Sequence, residues 1–351
     1  MEFTIQKGFA DFPRVNLIGV ATPLQRATGL ERRLKQSGIE VGIYLKRDDL
    51  TPIGGGGNKL RKLQYLMADI LRSGYDTVVT FGGMQSNHAR LTAAVCAALG
   101  LDCHLILTQE VEIDTVDYQC NGNRLLNRVF GAQSHVIPRG DSPQAFAHVL
   151  VERLSSAGKK PAVIPTGGST PLGALGYAEC AAEIFEQAHA AGLNFRQIIV
   201  PNGSSGTQAG LVAGWTASHG DPRIIHGFAV MEGAAQSKAK TTELASETLQ
   251  LIGAEPSMTD SINVDDSQLG AAYGQPTDAM LEAVGLLART EGLLLDPVYS
   301  GKAFAGMIEQ LRQGQIAKGD DVVFVMTGGV PGLYAYQRTL THAWPADGAT
   351  S

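Results

Sequence analysis

Short runs of β-branched and apolar residues recur along this chain, each separated from the next by a longer stretch with helical spacing. Thr77–Thr80, Cys103–Leu107, His135–Pro138, Ala162–Thr166, Gln197–Val200, Ile224–Met231 and Asp321–Met326 read as strands. Leu60, Leu63, Leu66, Met67 and Ile70 repeat at helical spacing after Asn58, and helical patterns follow at Ala89–Leu99, Asn123–Phe130, Leu175–Ala190, Thr241–Ile252, Thr277–Thr290 and Lys302–Gln313. This alternation predicts an α/β protein with open, mostly parallel, twisted sheets flanked by helices. A chain of 351 residues with 44% hydrophobic content can bury two such units, so a two-lobed molecule is expected. Composition marks no boundary: there are no repeats and no low-complexity linker, and only the residues from Pro345 onward look loose. Glycine-rich turns at Gly54–Gly57 and Gly167–Gly168 are the expected crossings between lobes.

Three segments hold residues suited to chemistry. Thr51-Pro-Ile-Gly-Gly-Gly-Gly-Asn-Lys59 sets a lysine at the mouth of a helix, and the glycines remove every Cβ beside it, so backbone and a bulky ligand can approach closely. A flexible turn before a solvated lysine is the alternative for this segment alone. Gly82-Gly-Met-Gln-Ser-Asn-His88 lies between a strand and a helix. Ligands in open α/β sheets collect at the carboxyl ends of strands, and free N–H groups at a helix start favour an anion such as a substrate carboxylate. Ser86, Asn87 and His88 add a hydroxyl, an amide and an imidazole there, although Ser and Asn are also preferred helix caps. Ile198-Ile-Val-Pro-Asn-Gly-Ser-Ser-Gly-Thr-Gln-Ala-Gly210 repeats the strand, loop, helix order. Its Gly203, Ser204, Ser205, Gly206 and Thr207 could wrap a phosphate with backbone N–H groups and hydroxyls. The bland alternative is a glycine-rich helix entry needed for close packing.

That loop contains no lysine or arginine, which suits a phosphate monoester better than a nucleoside triphosphate. Neither Gly-x4-Gly-Lys-Ser/Thr nor Gly-x-Gly-x-x-Gly after a strand occurs, which disfavours a nucleotide site and a nicotinamide dehydrogenase. A net charge of −6 without a basic tract gives no support for a nucleic-acid partner. No apolar run is long enough to span a bilayer, and the N-terminal residues lack the apolar core of a signal peptide. Cys96, Cys103, Cys120 and Cys180 show no Cys-x-x-Cys spacing and read as reduced thiols of a cytoplasmic protein. The eight histidines form no metal-binding cluster.

A reactive lysine, an anion-binding helix start and a phosphate cup together describe the needs of pyridoxal phosphate: a Schiff-base lysine, an anchor for the phosphate, and a ring that serves as electron sink. With Ile43-Tyr-Leu-Lys-Arg-Asp-Asp49, Gly56-Gly-Asn-Lys-Leu-Arg-Lys-Leu63, Gln85-Ser-Asn-His88, the phosphate loop and Leu295-Asp-Pro-Val-Tyr-Ser-Gly-Lys302, the chain resembles the D-cysteine desulfhydrase and 1-aminocyclopropane-1-carboxylate (ACC) deaminase family. These are pyridoxal enzymes of the tryptophan-synthase-β type, and the resemblance runs in order from about Pro23 to Tyr336.

The resemblance implies a cofactor in the cleft between a larger cofactor-binding lobe, 1–59 and 171–351, and a smaller substrate-side lobe, 60–170. It makes Lys59 the Schiff-base lysine and the base that moves the α-proton. Asn87 would hydrogen-bond the cofactor's phenolic oxygen, and Ser86, with Asn87 and His88 beside it, the substrate carboxylate. Gly203–Thr207 match the phosphate loop, and Tyr273 and Tyr299 match two active-site tyrosines. Where ACC deaminases carry glutamate and leucine this chain has Ser300 and Thr327, as desulfhydrases do, which places hydroxyls rather than a carboxylate at the pyridine nitrogen. The implied activity is β-elimination from a small amino acid by a cytoplasmic homodimer, with D-cysteine giving pyruvate, hydrogen sulfide and ammonia. L-Cysteate sulfo-lyase, ACC deaminase and a non-catalytic pyridoxal-phosphate carrier are the alternatives.

Overall fold

The structure is a computed structural model that describes residues 8–9, 11–218, 220–255 and 261–344. Its strands are β1 (Leu24–Arg26), β2 (Gly42–Lys46), β3 (Thr77–Gly83), β4 (Asp102–Thr108), β5 (Gln133–Ile137), β6 (Pro161–Ile164), β7 (Phe195–Asn202), β8 (Ile225–Ala229), β9 (Asn263–Asp265) and β10 (Asp321–Val325). They form a six-stranded sheet in the order β1-β2-β10-β7-β8-β9 and a four-stranded sheet in the order β5-β4-β3-β6. Every pairing is parallel except β1 with β2. The expected α/β architecture is therefore present, with the smaller sheet built from residues 77–164.

Both faces of each sheet are covered, which is why their strands read as apolar runs rather than alternating ones. Val322 and Phe324 face helices Asp278–Glu291 and Ser300–Arg312, where Val284, Leu287, Phe304 and Met307 pack against them. Val323 and Val325 face the opposite way, onto Tyr177, Ile184, Leu211 and Val212 of helices Pro171–Ala191 and Gly206–Ala217. In the smaller sheet, Val78 and Leu105 meet helices Lys59–Arg72 and Asn87–Leu99, while Val79 and Ile106 meet Ala147 and Leu150 of helix Pro143–Ser156.

Several elements carried no sequence expectation. Helix Pro143–Ser156 is one, although Ser142 caps it through Ala145 N and Pro143 fills its first turn, a legible start signal. β1, β2, β9 and helix Thr28–Lys35 are others. The strand expected over Ile224–Met231 shortens to β8 because residues Pro222–Ile224 form a 3-10 turn. The loose segment expected from Pro345 lies outside the described residues.

Gly54–Gly57 is a fixed turn rather than a flexible one. All four glycines have positive φ, and a Cβ on Gly56 would lie 2.0 Å from Asp49 O. Thr51 Oγ1 closes the turn, accepting from Gly57 N at 2.7 Å and donating to a carbonyl in the same turn. Asn58 N then donates to Thr327 O at 3.0 Å, tying the turn to the end of β10.

Two residues further on, within the first turn, Arg61 anchors the Lys59 helix. Its guanidinium bonds Asp48 Oδ2 and Oδ1 at 2.8 and 2.9 Å and Glu183 at 2.9 and 2.8 Å. Tyr177 also donates to Asp48, and Lys46 to Glu183. Burial pushes the Asp48 pKa up, but Arg61 and the other partners outweigh it and hold the carboxyl below its usual range. The charged motif around Asp48 is thus a buried ion cluster that docks the lysine helix onto helix Pro171–Ala191. No helix among the described residues is long and apolar enough to cross a membrane.

Candidate active site

The carboxyl ends of β3, β4, β7 and β10, and the turn after β6, converge on one cavity, the position where open α/β sheets bind ligands. Lys59, Ser86, Asn87, His88, Gly203, Ser204, Ser205, Thr207, Tyr273, Tyr299 and Thr327 all line it. Thirteen positions between Lys59 and Thr327 were expected at one site; eleven of them line this cavity, and Gly206 and Ser300 do not.

Lys59 opens its helix at the cavity wall. Burial lowers its pKa to about 8, with the Asp296 carboxylate pulling the other way. Ser86 is the N-cap of helix Asn87–Leu99, its Oγ accepting from Ala89 N at 3.1 Å, so both readings of that serine hold together. The hydroxyl proton is not used by the cap. His88 forms part of the wall, and its Nε2 lies 2.9 Å from Thr80 Oγ1. Thr80 spends its one proton on Ile164 O at 2.8 Å, so Nε2 must be the donor and Nδ1 a bare acceptor. Burial, then Lys59 and Lys62, hold this imidazole well below its ordinary pKa, in the neutral form.

The loop after β7 makes a cup. Ser205 is the only non-glycine residue with positive φ among the described residues, at φ 63° and ψ −32°, a conformation that costs about 1–3 kcal/mol. Its buried Oγ has no hydrogen-bond partner. Ser204 Oγ accepts from Ser169 Oγ at 2.9 Å, and Thr207 Oγ1 accepts from Asn58 Nδ2 at 3.1 Å. Behind the cup lies Lys62, which the loop sequence gave no hint of. It donates to Gly167 O and Ser169 Oγ at 3.1 and 3.2 Å, and a Cβ on Gly206 would come within 2.7 Å of its Nζ. Burial first, then Lys59, drive its pKa well down, which an anion in the cup would reverse. Its spacing of three from Lys59, on one face of a helix, was the signal available in the sequence.

Tyr273 and Tyr299 come from separate loops and share a hydrogen bond of 2.6 Å between their hydroxyls. Burial raises the pKa of both, so both phenols keep their protons at neutral pH. Of the two residues expected at a ring nitrogen, Thr327 lines the cavity and Ser300 does not. The Ser300 hydroxyl donates to Asp296 Oδ1 at 2.6 Å and accepts from Asp296 N at 2.8 Å, which uses its only proton. Asp296 in turn receives the N–H groups of Val298, Tyr299 and Ser300, and burial still keeps its pKa above the usual carboxylate value. Ser300 is therefore part of a helix-start clasp that sets the direction of Tyr299.

A buried amine of lowered pKa and an anion cup, lining one cavity at the mouths of parallel strands, suit a cofactor for covalent carbonyl chemistry. A strained Ser205 with an unsatisfied hydroxyl, a missing Cβ at Gly206 and a buried lysine behind them, which an anion would protonate, fit the phosphate of pyridoxal phosphate. Residues 15–328 match the family described as pyridoxal-phosphate dependent enzyme. The chain belongs to that family, and pyridoxal phosphate is its cofactor. Among its relatives, "D-cysteine desulfhydrase" of Yersinia enterocolitica serotype O:8 / biotype 1B is 41% identical over 333 residues, 95% of this chain and 98% of the relative. The protein of the same name from Salmonella typhi is 42% identical over 327 residues, covering 93% and 96%. A solved structure described as an ACC deaminase homologue superposes with a TM-score of 0.85 at 34% identity, covering 97% of this chain and 99% of the other.

Proposed function

We propose that this chain is a carbon–sulfur lyase that converts D-cysteine and water to pyruvate, hydrogen sulfide and ammonia. The lining of the cavity carries the choice of substrate: among the described residues it contains one lysine, Lys59, no arginine and one carboxylate, Glu110. L-Cysteate would bring a sulfonate as a second anion beside its carboxylate, and a buried anion without a matching cation is costly. A thiol needs no such partner.

In this reading the bound cofactor supplies an electron sink conjugated to the substrate's α-carbon. Lys59 holds the cofactor and, as a neutral amine, takes the proton from Cα, a task its lowered pKa suits. The free hydroxyl proton of Ser86 and the N–H groups at the start of its helix hold the substrate carboxylate, with His88 as neutral wall behind them. Asn87 would donate to the cofactor's phenolic oxygen, and Thr327 would offer its hydroxyl to the ring nitrogen. Gly203–Thr207 receive the phosphate, with Lys62 as the buried countercharge. The protonated pair Tyr273 and Tyr299 delivers a proton to the departing sulfur, so that the leaving group is hydrogen sulfide.

The lobes assigned are 1–59 with 171–351 and, on the substrate side, 60–170; α-proton and leaving-group chemistry fall between them. A cytoplasmic compartment is supported by four unpaired cysteines, three of them buried. The homodimer rests on the family resemblance. The test is a panel of D-cysteine, L-cysteine, L-cysteate, D-serine and ACC assayed for keto acid, ammonia and sulfide. D-Cysteine should give the highest kcat/KM with one sulfide per pyruvate. Faster sulfite release from L-cysteate, or ring opening of ACC, would overturn the substrate, and no keto acid from any of them would leave a carrier.

A further inference from the structure

Arg90 lies one turn into helix Asn87–Leu99, fully buried, and a guanidinium can only donate hydrogen bonds. Its Nη1 reaches Asn123 Oδ1 at 2.8 Å and its Nη2 reaches Gly56 O at 2.6 Å. Asn123 therefore has its oxygen turned to Arg90 and its nitrogen turned away. That nitrogen donates to Asn87 Oδ1 and to Gln85 O, both at 2.9 Å. Arg90 Nη1 adds a longer contact of 3.4 Å to the same Asn87 oxygen. With its oxygen occupied by two donors, Asn87 can only present its nitrogen on the other side, where Gly329 leaves room: a Cβ there would sit 2.5 Å from Asn87 Nδ2. Turning either amide over would set N–H against N–H in a buried site, a penalty comparable to leaving a polar group unsatisfied.

We propose that Arg90 and Asn123 are positioning residues that lock the Asn87 amide with its nitrogen toward the cavity, ready to donate to the bound cofactor. The inference rests on the reading of Asn87 as that donor. Arg90 does a second thing through the same guanidinium: by holding Gly56 O it fixes the glycine turn that carries Lys59 relative to the helix that carries Asn87. Burial lowers its pKa to about 10, which leaves it protonated at neutral pH and keeps the polarity of the chain one-directional. Asn123 in turn is stitched in place by Gln85, whose Oε1 accepts from Asn123 N at 2.9 Å.

Asn123→Asp keeps the shape and still accepts from Arg90, yet it offers no N–H to Asn87. The affinity of the apoprotein for pyridoxal phosphate and the pH midpoint of the holoprotein's absorbance are read for Asn123→Asp, Asn87→Ala and the double variant. Loss of a donor at a phenolic oxygen disfavours its ionised form, so the midpoint should rise in each single variant, and the Kd should weaken roughly tenfold. The double variant should be no worse than Asn87→Ala alone, because one residue acts through the other. An unchanged Asn87→Ala overturns the reading of Asn87 and this inference with it. An altered Asn87→Ala beside an unchanged Asn123→Asp, or additive effects in the double variant, overturns the positioning role alone. Should Asn123→Asp not fold, Arg90→Lys carries the same test, since a single ammonium cannot span Asn123 and Gly56 together.

Discussion

An exposed lysine is protonated at neutral pH and cannot attack a carbonyl. Lys59 is buried, and the resulting pKa of about 8 means that about a quarter of these amines are neutral at pH 7.5, against roughly one in a thousand for an ordinary lysine. The rate at which the apoprotein takes up pyridoxal phosphate should therefore climb with pH and level off above about 8. A climb continuing to the ordinary lysine value of about 10.5 would show that burial does not tune this amine. At the cup, Gly206 leaves space that Lys62 Nζ and Ser169 Oγ border at 2.7 and 2.6 Å from where a Cβ would be. Lys62 Nζ can swing aside, but Ser169 Cβ, 2.9 Å from the same point, is not a flexible end, so Gly206→Val should lower the apoprotein's Tm by a few degrees. Cofactor affinity should fall roughly tenfold or more, because the phosphate loses its close backbone approach. Equal affinity measured by titration would remove this loop from the cofactor site.

Helix Lys59–Arg72 shows how an element inherits its position from charges far along the chain. Asp48 lies on the turn after β2, Arg61 on the helix and Glu183 on helix Pro171–Ala191, and their buried bonds join the three. Removing one member strands the others. Asp48→Ala should destabilise the protein by about 3–5 kcal/mol in denaturant unfolding, since Arg61 would be left with an incomplete set of partners in a dry site. A loss below about 1 kcal/mol would mean that water or Glu183 makes good the deficit. Sequence reasoning caught Asp48 and Arg61 only as members of a resembling motif. Nothing in their spacing disclosed that they face each other, because the contact spans a turn and a helix start. The Lys59 helix, by contrast, was legible from its own apolar period, and the glycine turn before it from composition. Ser300 marks the opposite case: a hydroxyl in the right motif whose proton the neighbouring Asp296 already claims, a fact of local geometry that residue type does not disclose.

The two sheets meet so that strand ends from both surround one cavity. That architecture was readable because a parallel strand buried on both faces must be apolar throughout, and such runs recur seven times with helices between them. Edge elements were not readable. β1 and β9 have three residues each, too few for any period to register. Lys62 and Arg90 were missed for a related reason: a buried cation carries the same letter as a solvated one, and only the packing around it tells them apart. The whole account turns on which of the two buried lysines of helix Lys59–Arg72 holds the cofactor. Reduction of the holoprotein with borohydride, followed by peptide mapping by mass spectrometry, decides it. The reduced cofactor should be found on Lys59, with Lys62 unmodified; attachment at Lys62, or recovery of no lysine adduct from protein that binds the cofactor, would contradict the site built here.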